Sequence, residues 1–293
     1  VRASSAPGRL RRYPRRRRVL GDLRRWRDVA LPGLGRRSDL YVWLPPGYGR
    51  GTQRYPVVYL QDGGNLFDPR TSFAGATWQA DEALTWLHTK GIDAIAVGVP
   101  CSPDRRLEEY SPAFSDTLLA QHPGLGAPAA DVYVDFLTEH LKPWVDRGLR
   151  TRPEREHTLV AGSSAGAVVS MHAWLRRPDV FGGVGAFSSA FWVPGEAHLA
   201  ELEQAVVAPH PPTRFSLDVG GRETPDDPIL QAAYRRDTER VVAALQEAQV
   251  PVRYTYDSTA YHFETAWAQR LPATLEWLLS GYAVARPGAQ TPR

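Results

Sequence analysis

Leu159-Val160-Ala161-Gly162-Ser163-Ser164-Ala165-Gly166-Ala167 is the stretch that decides the fold. It sets a G-x-S-x-G pattern, centred on Ser164, between a short apolar run suited to a strand and a helix expected to follow the serine. A nucleophile on so tight a strand-to-helix turn sits in a strained backbone conformation. The residues two before and two after it must therefore be small, and Gly162 and Gly166 supply that room. The turn aims the Ser164 hydroxyl out of the sheet and places a helix N-terminus beneath the reacting carbonyl, where the Ala165 amide can donate to a developing oxyanion. Ser163 is the competing hydroxyl, but its neighbours at the same spacing are Ala161 and Ala165. Read without context, the run is equally a flexible loop of small residues, so the rest of the chain has to decide.

Working outward, Asp39 to Leu44 alternates as an outer strand does and is broken by Pro45-Pro46-Gly47. Val57 to Leu60 and Ile92 to Val99 read as short buried strands, with a helical pattern from Trp78 to Lys90 between them. A long amphipathic helix is expected around Val132 to Val145, then a strand at Thr158 to Val160 and the helix after Ser164, ending near Arg177-Pro178. Further strands are expected at Gly183 to Phe187, Phe215 to Val219 and Val252 to Tyr256, with helices at Ile229 to Ala248 and Ala266 to Leu279. Strands alternating with helices imply an α/β fold, a mostly parallel central sheet with helices on both faces. No repeat or linker argues for a second domain, and residues 38–284 are expected to form one α/β-hydrolase domain.

The charge is unevenly placed. Residues 2–37 carry 13 arginines against Asp22 and Asp28, so this segment is +11 in a chain of net charge +3, and the remainder is about −8. Arginines clustered at Arg11, Arg12 and Arg15 to Arg18 suit an anionic partner, yet no packed-core pattern or binding motif accompanies them. Residues 1–37 are therefore expected to be a flexible arm, with no nucleic-acid partner, and residues 285–293 a loose tail. No apolar run approaches the roughly 18 residues of a membrane span. No basic segment is followed by the apolar core of a signal peptide, which favours a cytoplasmic location. With one cysteine, Cys101, the chain has no intramolecular disulfide and no zinc-type ligand set, and Cys101 is expected to be a bystander at a strand end.

A serine hydroxyl needs a base within hydrogen-bond reach. Of the eight histidines, His262 follows the Val252 to Tyr256 strand through a short loop and precedes the last helix, where the order Ser, acid, His puts the base. His88, His122, His140, His157, His172, His198 and His210 lack that position. The acid should follow the strand after the nucleophile helix, and Glu223, beyond the Gly220-Gly221 turn, is preferred. Asp218 lies within the strand and reads as structural, and Asp226 or Asp227 would serve if the loop were longer. A second oxyanion donor is expected from Gly64, or Gly63, in the loop after Val57 to Leu60, with Asp62 bracing that loop. Phe67, Trp78, Phe191 and Trp192 are candidates for an apolar substrate pocket, and equally for core.

These residues fall into a pattern. Tyr-Pro-Val-Val-Tyr-Leu-Gln-Asp-Gly-Gly-Asn-Leu-Phe-Asp at 55–68, Trp-Gln-Ala-Asp-Glu-Ala-Leu at 78–84 and Glu-Tyr-Ser-Pro at 109–112 precede the nucleophile run. Arg-Pro-Asp-Val-Phe-Gly at 177–182, Phe-Ser-Ser-Ala-Phe-Trp at 187–192, Asp-Val-Gly-Gly-Arg-Glu at 218–223 and His-Phe-Glu-Thr-Ala-Trp at 262–267 follow it. In these pieces, over about residues 38–280, the chain resembles the esterase family that includes enterochelin esterases, esterase D and feruloyl esterase domains. The resemblance implies hydrolysis of a small-molecule carboxylic ester through a Ser, acid, His triad, with no cofactor and no metal. Three departures bear on pocket shape: Ala165 where the family has a bulkier residue, Gly64 where it has Gln, and Thr259-Ala260-Tyr261 where a Gly-rich stretch commonly precedes the histidine. The rival readings are acyl transfer through the same triad and a non-catalytic binding module on the same fold.

Overall fold

A computed structural model describes residues 7–14 and 19–280. Strands β1 (Arg11–Arg12), β2 (Asp22–Leu31) and β3 (Arg36–Leu44) open the chain, and β4 (Val57–Gln61), helix α1 (Ala80–Thr89) and β5 (Ile95–Val99) follow. Two short helices, α2 (Arg106–Tyr110) and α3 (Asp116–Gln121), precede a long helical stretch. That stretch is α4 (Ala130–Asp135), a π-helical segment (Phe136–Leu141) and α5 (Lys142–Gly148). Then come β6 (Thr158–Ser163), α6 (Ala165–Arg176), β7 (Gly183–Phe187), α7 (Glu196–Val207), β8 (Arg214–Arg222), α8 (Pro228–Glu247), β9 (Val252–Tyr261) and α9 (Glu264–Leu279).

The nine strands form one sheet in the order β1-β2-β3-β5-β4-β6-β7-β8-β9. From β5 to β9 every pairing is parallel, and β1, β2 and β3 extend one edge antiparallel. Strands β4 to β7 are buried along their whole length, as their continuous apolar runs require when helices cover both faces. On one face α1 and α9 seat Leu84, Leu87, Leu271, Leu275 and Leu278 against the sheet. On the other, α2, α4, α6, α7 and α8 seat Tyr110, Tyr133, Val168, Leu199 and Val241. The fold class expected from the sequence is the one observed, and β6 sits at the centre of it.

The arginine-rich arm needs correcting. Residues 22–31, expected to be flexible, are β2, paired along β3 from Asp22↔Leu44 to Leu31↔Arg36. Leu23, Trp26, Val29 and Leu31 are buried there, and each apolar side chain withdrawn from water contributes about 1.5–3 kcal/mol. The neighbouring charges are paired: Arg24 with Asp22 at 2.7 Å, Arg25 with Asp39 at 2.8 Å and Arg36 with Glu109 at 2.5 Å. A register shift between Trp26 and Val29, with Asp28 at φ 50°, puts two residues between inward side chains instead of one and hides the period of two. The tail expected to be loose at 285–293 lies outside the described residues.

Candidate active site

The G-x-S-x-G turn closes because its glycines touch. A Cβ on Gly162 would stand 2.5 Å from the Gly166 carbonyl oxygen, a distance no side chain tolerates. Between them Ser164 adopts φ 58°, ψ −125°, a conformation that costs a non-glycine residue free energy and is held by its surroundings. The Ser164 amide donates to the Phe187 carbonyl at 2.9 Å, which ties the turn to the end of β7. Ser163 is buried at the end of β6, and Ser164 is the half-buried hydroxyl at the cavity. Ala165 opens α6, and the first amides of a helix lack intrahelical acceptors, so its N–H is available to an anion beside Ser164.

Strand register brings the other two groups together. Arg222 of β8 is opposite Tyr261 of β9, so Glu223 and His262 leave the sheet side by side. His262 Nδ1 lies 2.7 Å from Glu223 Oε2. Strand β9 runs five residues further than expected, and the predicted short loop before His262 is strand carrying the extra residues of a bulge. The glycines that this crowding demands stand on β8: a Cβ at Gly220 would meet the Ala260 oxygen at 2.4 Å and one at Gly221 the Ser258 oxygen at 2.5 Å. Burial works against ionising Glu223, but hydrogen bonds from His262, Ser188 and the Gly220 amide outweigh it and hold the carboxyl below its usual range. An ionised carboxylate only accepts, so Nδ1 carries the imidazole proton and Nε2 is left as the basic nitrogen. Trp267 meets the imidazole edge-on at 5.0 Å and Tyr234 flanks it at 5.0 Å, fixing the ring plane.

The alternative acids are occupied elsewhere. Asp218 is buried and ion-paired with Arg270 at 3.1 Å. Burial pushes its pKa up to about 7 against the pull of Arg270. Asp227 caps α8 by accepting from the Leu230 amide at 2.9 Å, and Asp226 is exposed.

The loop after β4 supplies the facing wall. Asp62, at φ 52°, receives Arg106 on both carboxylate oxygens at 2.8 Å, and its amide donates to the Tyr110 hydroxyl at 3.0 Å. This is the bracing role expected of Asp62. Gly64 lines the cavity, whereas Gly63 does not: it is packed on β5, where a Cβ would come within 2.5 Å of Gly98.

Ser164 and His262 open into one cavity of about 580 Å³, also lined by Asp62, Gly64 and Arg106. The four aromatic residues proposed for its wall are not among its lining residues. Trp78 and Phe67 are 1% and 3% exposed in the core under α1, Phe191 is 1% exposed in the core across the sheet, and Trp192 packs against Tyr234. The apolar lining comes instead from Phe73, Pro100, Cys101, Pro103, Phe263 and Trp267. Phe73 is 91% exposed at the mouth, where an aromatic side chain has no core to join. Phe263, Glu264 and Trp267 lie within five residues after His262, in the run 262–267 that carried the family resemblance but was not read as cavity wall. Burial raises the pKa of Glu264, which accepts from Asn65 Nδ2 at 3.2 Å, and burial likewise keeps the Cys101 thiol protonated. Among the described residues no group of histidine, cysteine or carboxylate side chains is arranged to hold a metal, and no helix is long and apolar enough to cross a membrane.

A mostly parallel sheet with a strained serine between β6 and the following helix is the α/β-hydrolase fold. The family described as "Putative esterase" matches residues 32–278, and the chain belongs to it. That membership makes the protein a carboxylic ester hydrolase. It is 25% identical over 249 residues to the Bacillus subtilis protein YbbA, covering 83% of this chain and 92% of that one. It is 26% identical over 198 residues to the siderophore enterobactin esterase of Emericella nidulans, covering 62% of each. In structure it resembles an IroE-like serine hydrolase from Shewanella oneidensis, with a TM-score of 0.72 at 19% identity over 90% of this chain and 81% of that one. The chain spans less than two thirds of the siderophore esterase's length, at 62%.

Proposed function

We propose that the protein is a serine esterase that hydrolyses a small-molecule carboxylic ester through an acyl-enzyme intermediate. The observation that carries this reading is the meeting of a strained, half-buried Ser164 with His262 in one cavity, the latter bound through Nδ1 to Glu223 at 2.7 Å. In the reaction, His262 Nε2 takes the Ser164 proton as Oγ attacks the ester carbonyl, and Glu223 stabilises the imidazolium. The Ala165 and Gly64 amides receive the oxyanion, each worth about 3 kcal/mol of transition-state stabilisation. His262 returns the proton to the departing alcohol, then removes one from the water that attacks the acyl group and passes it to Ser164 Oγ as the acid leaves.

The cavity supports an ester of modest size, with one apolar portion against Phe73, Phe263 and Trp267 and polar contacts toward Asn65, Arg106 and Glu264. The test is hydrolysis of p-nitrophenyl acetate and butyrate by the wild type and Ser164→Ala. The variant is expected to lose on the order of a thousandfold or more in kcat/KM. Full activity in Ser164→Ala would end the reading.

A further inference from the structure

Glu223 is held by a buried cluster that the reaction above does not use. Ser188, just past β7, is fully buried and sits at φ 46°, a left-handed conformation that a serine keeps only under constraint. Its amide donates to the Asp218 carbonyl at 3.0 Å and to Asp218 Oδ1 at 3.2 Å. Its hydroxyl lies 2.7 Å from Glu223 Oε1, 3.0 Å from Trp267 Nε1 and 3.2 Å from Arg270 Nη2.

Donor counting fixes where the hydroxyl proton goes. The indole N–H and the guanidinium are donors only, so they occupy both lone pairs of Ser188 Oγ. The single hydroxyl proton is left for Glu223 Oε1, which also accepts from the Gly220 amide. Arg270 pairs with Asp218, and its Nε and Nη1 have no protein partner among the described residues. Its positive charge thus reaches Glu223 through Ser188. Trp267 both meets the His262 ring and donates to Ser188, so one side chain ties the base to the support of its acid.

We infer that Ser188 is a positioning residue: its hydroxyl, polarised by Arg270 and Trp267, clamps the Glu223 carboxylate in the orientation His262 requires. The inference rests on the triad reading given above. The ionisable groups around the cluster are Asp218 from β8, Tyr234 from α8, Glu264 and Arg270 from α9, Arg253 from β9, and Asp62 and Arg106 across the cavity. Of these, Arg270 donates to the Ser188 hydroxyl and Asp218 accepts from the Ser188 amide, while His262 holds the other oxygen of Glu223.

The experiment compares Ser188→Ala and Ser188→Gly with the wild type and Ser164→Ala, using p-nitrophenyl butyrate across the pH range. Folded sites are counted by titration with a serine-directed phosphonate. Glycine accepts the positive φ without strain, so Ser188→Gly keeps the test open if the alanine variant does not fold. Without the hydroxyl the carboxylate loses one donor, swings more freely and holds its charge less dispersed. The expected result is a kcat lower by on the order of tenfold per titrated site with KM within about twofold. The acid limb of the kcat profile is also expected to move to higher pH, because a less dispersed carboxylate holds the protonated imidazole more tightly. An unchanged kcat and acid limb, or a lower kcat with the limb unmoved, overturns the inference while an inactive Ser164→Ala leaves the triad standing. Full activity in Ser164→Ala overturns both.

Discussion

Two carboxylates five positions apart, Asp218 and Glu223, are driven in opposite directions by what surrounds them. Glu223 is held below its usual pKa and so adds stability above about pH 4.5, which is lost as pH falls through its lower folded value. Asp218 is raised from 3.8 to about 7, so the folded state binds the extra proton between those values and stability falls as pH rises through that window. Asp218→Asn, which cannot ionise, is expected to flatten this fall in urea denaturation curves taken from acid to neutral pH. A slope equal to that of the wild type would show that Asp218 is ionised in the native protein across the window. At this scale the chain order of serine, acid and histidine was enough to foresee that Glu223 and His262 meet, because the fold dictates where each must leave the sheet. The cavity aromatics were not legible, since a tryptophan or phenylalanine carries no mark of which face of its element is inward. Trp78 and Phe191 went to core, and Phe73, in a loop without periodicity, went to the mouth.

Between β6 and α6 the element itself depends on a contact between two glycines. Gly162→Ala puts a methyl group 2.5 Å from the Gly166 carbonyl oxygen. A loss of roughly 1–3 kcal/mol or more is expected in denaturant melts, since backbone cannot step aside as a flexible side chain does. Activity should fall further than stability, because the same shift moves Ser164. Helix α9 lines the cavity along its first turns: Glu264, Trp267 and Arg270 recur at intervals of three and reach the cavity wall, the His262 imidazole and the Ser188 hydroxyl in turn. Most strands and long helices were legible within a few residues, because buried parallel strands leave short branched apolar runs. Strand β2 was not, for its bulge broke the alternation and its arginines, among them Arg24 paired with Asp22 and Arg25 paired with Asp39, resembled a solvated run.

Across the whole molecule, the sheet order sets Ser164 in the interior of the sheet, at the end of β6, and the arginine-rich strands at one edge. That separation predicts independent failure. Trp26→Ala, which empties a buried site between β2 and the helical layer, is expected to cost about 3–5 kcal/mol in equilibrium unfolding. Hydrolysis per folded molecule should stay at the wild-type level, and a comparable loss of kcat would mean that the edge and the centre are coupled. The same arrangement leaves the chain's one sulfhydryl, Cys101, on the wall of the cavity that holds Ser164. A fluorophore coupled to sulfur therefore has a single address in this protein. Because burial keeps that sulfur protonated, coupling is slow at neutral pH, but once attached the dye lies on the cavity wall that Ser164 shares, and a change in its emission on adding a candidate ester would report occupancy without any engineered residue.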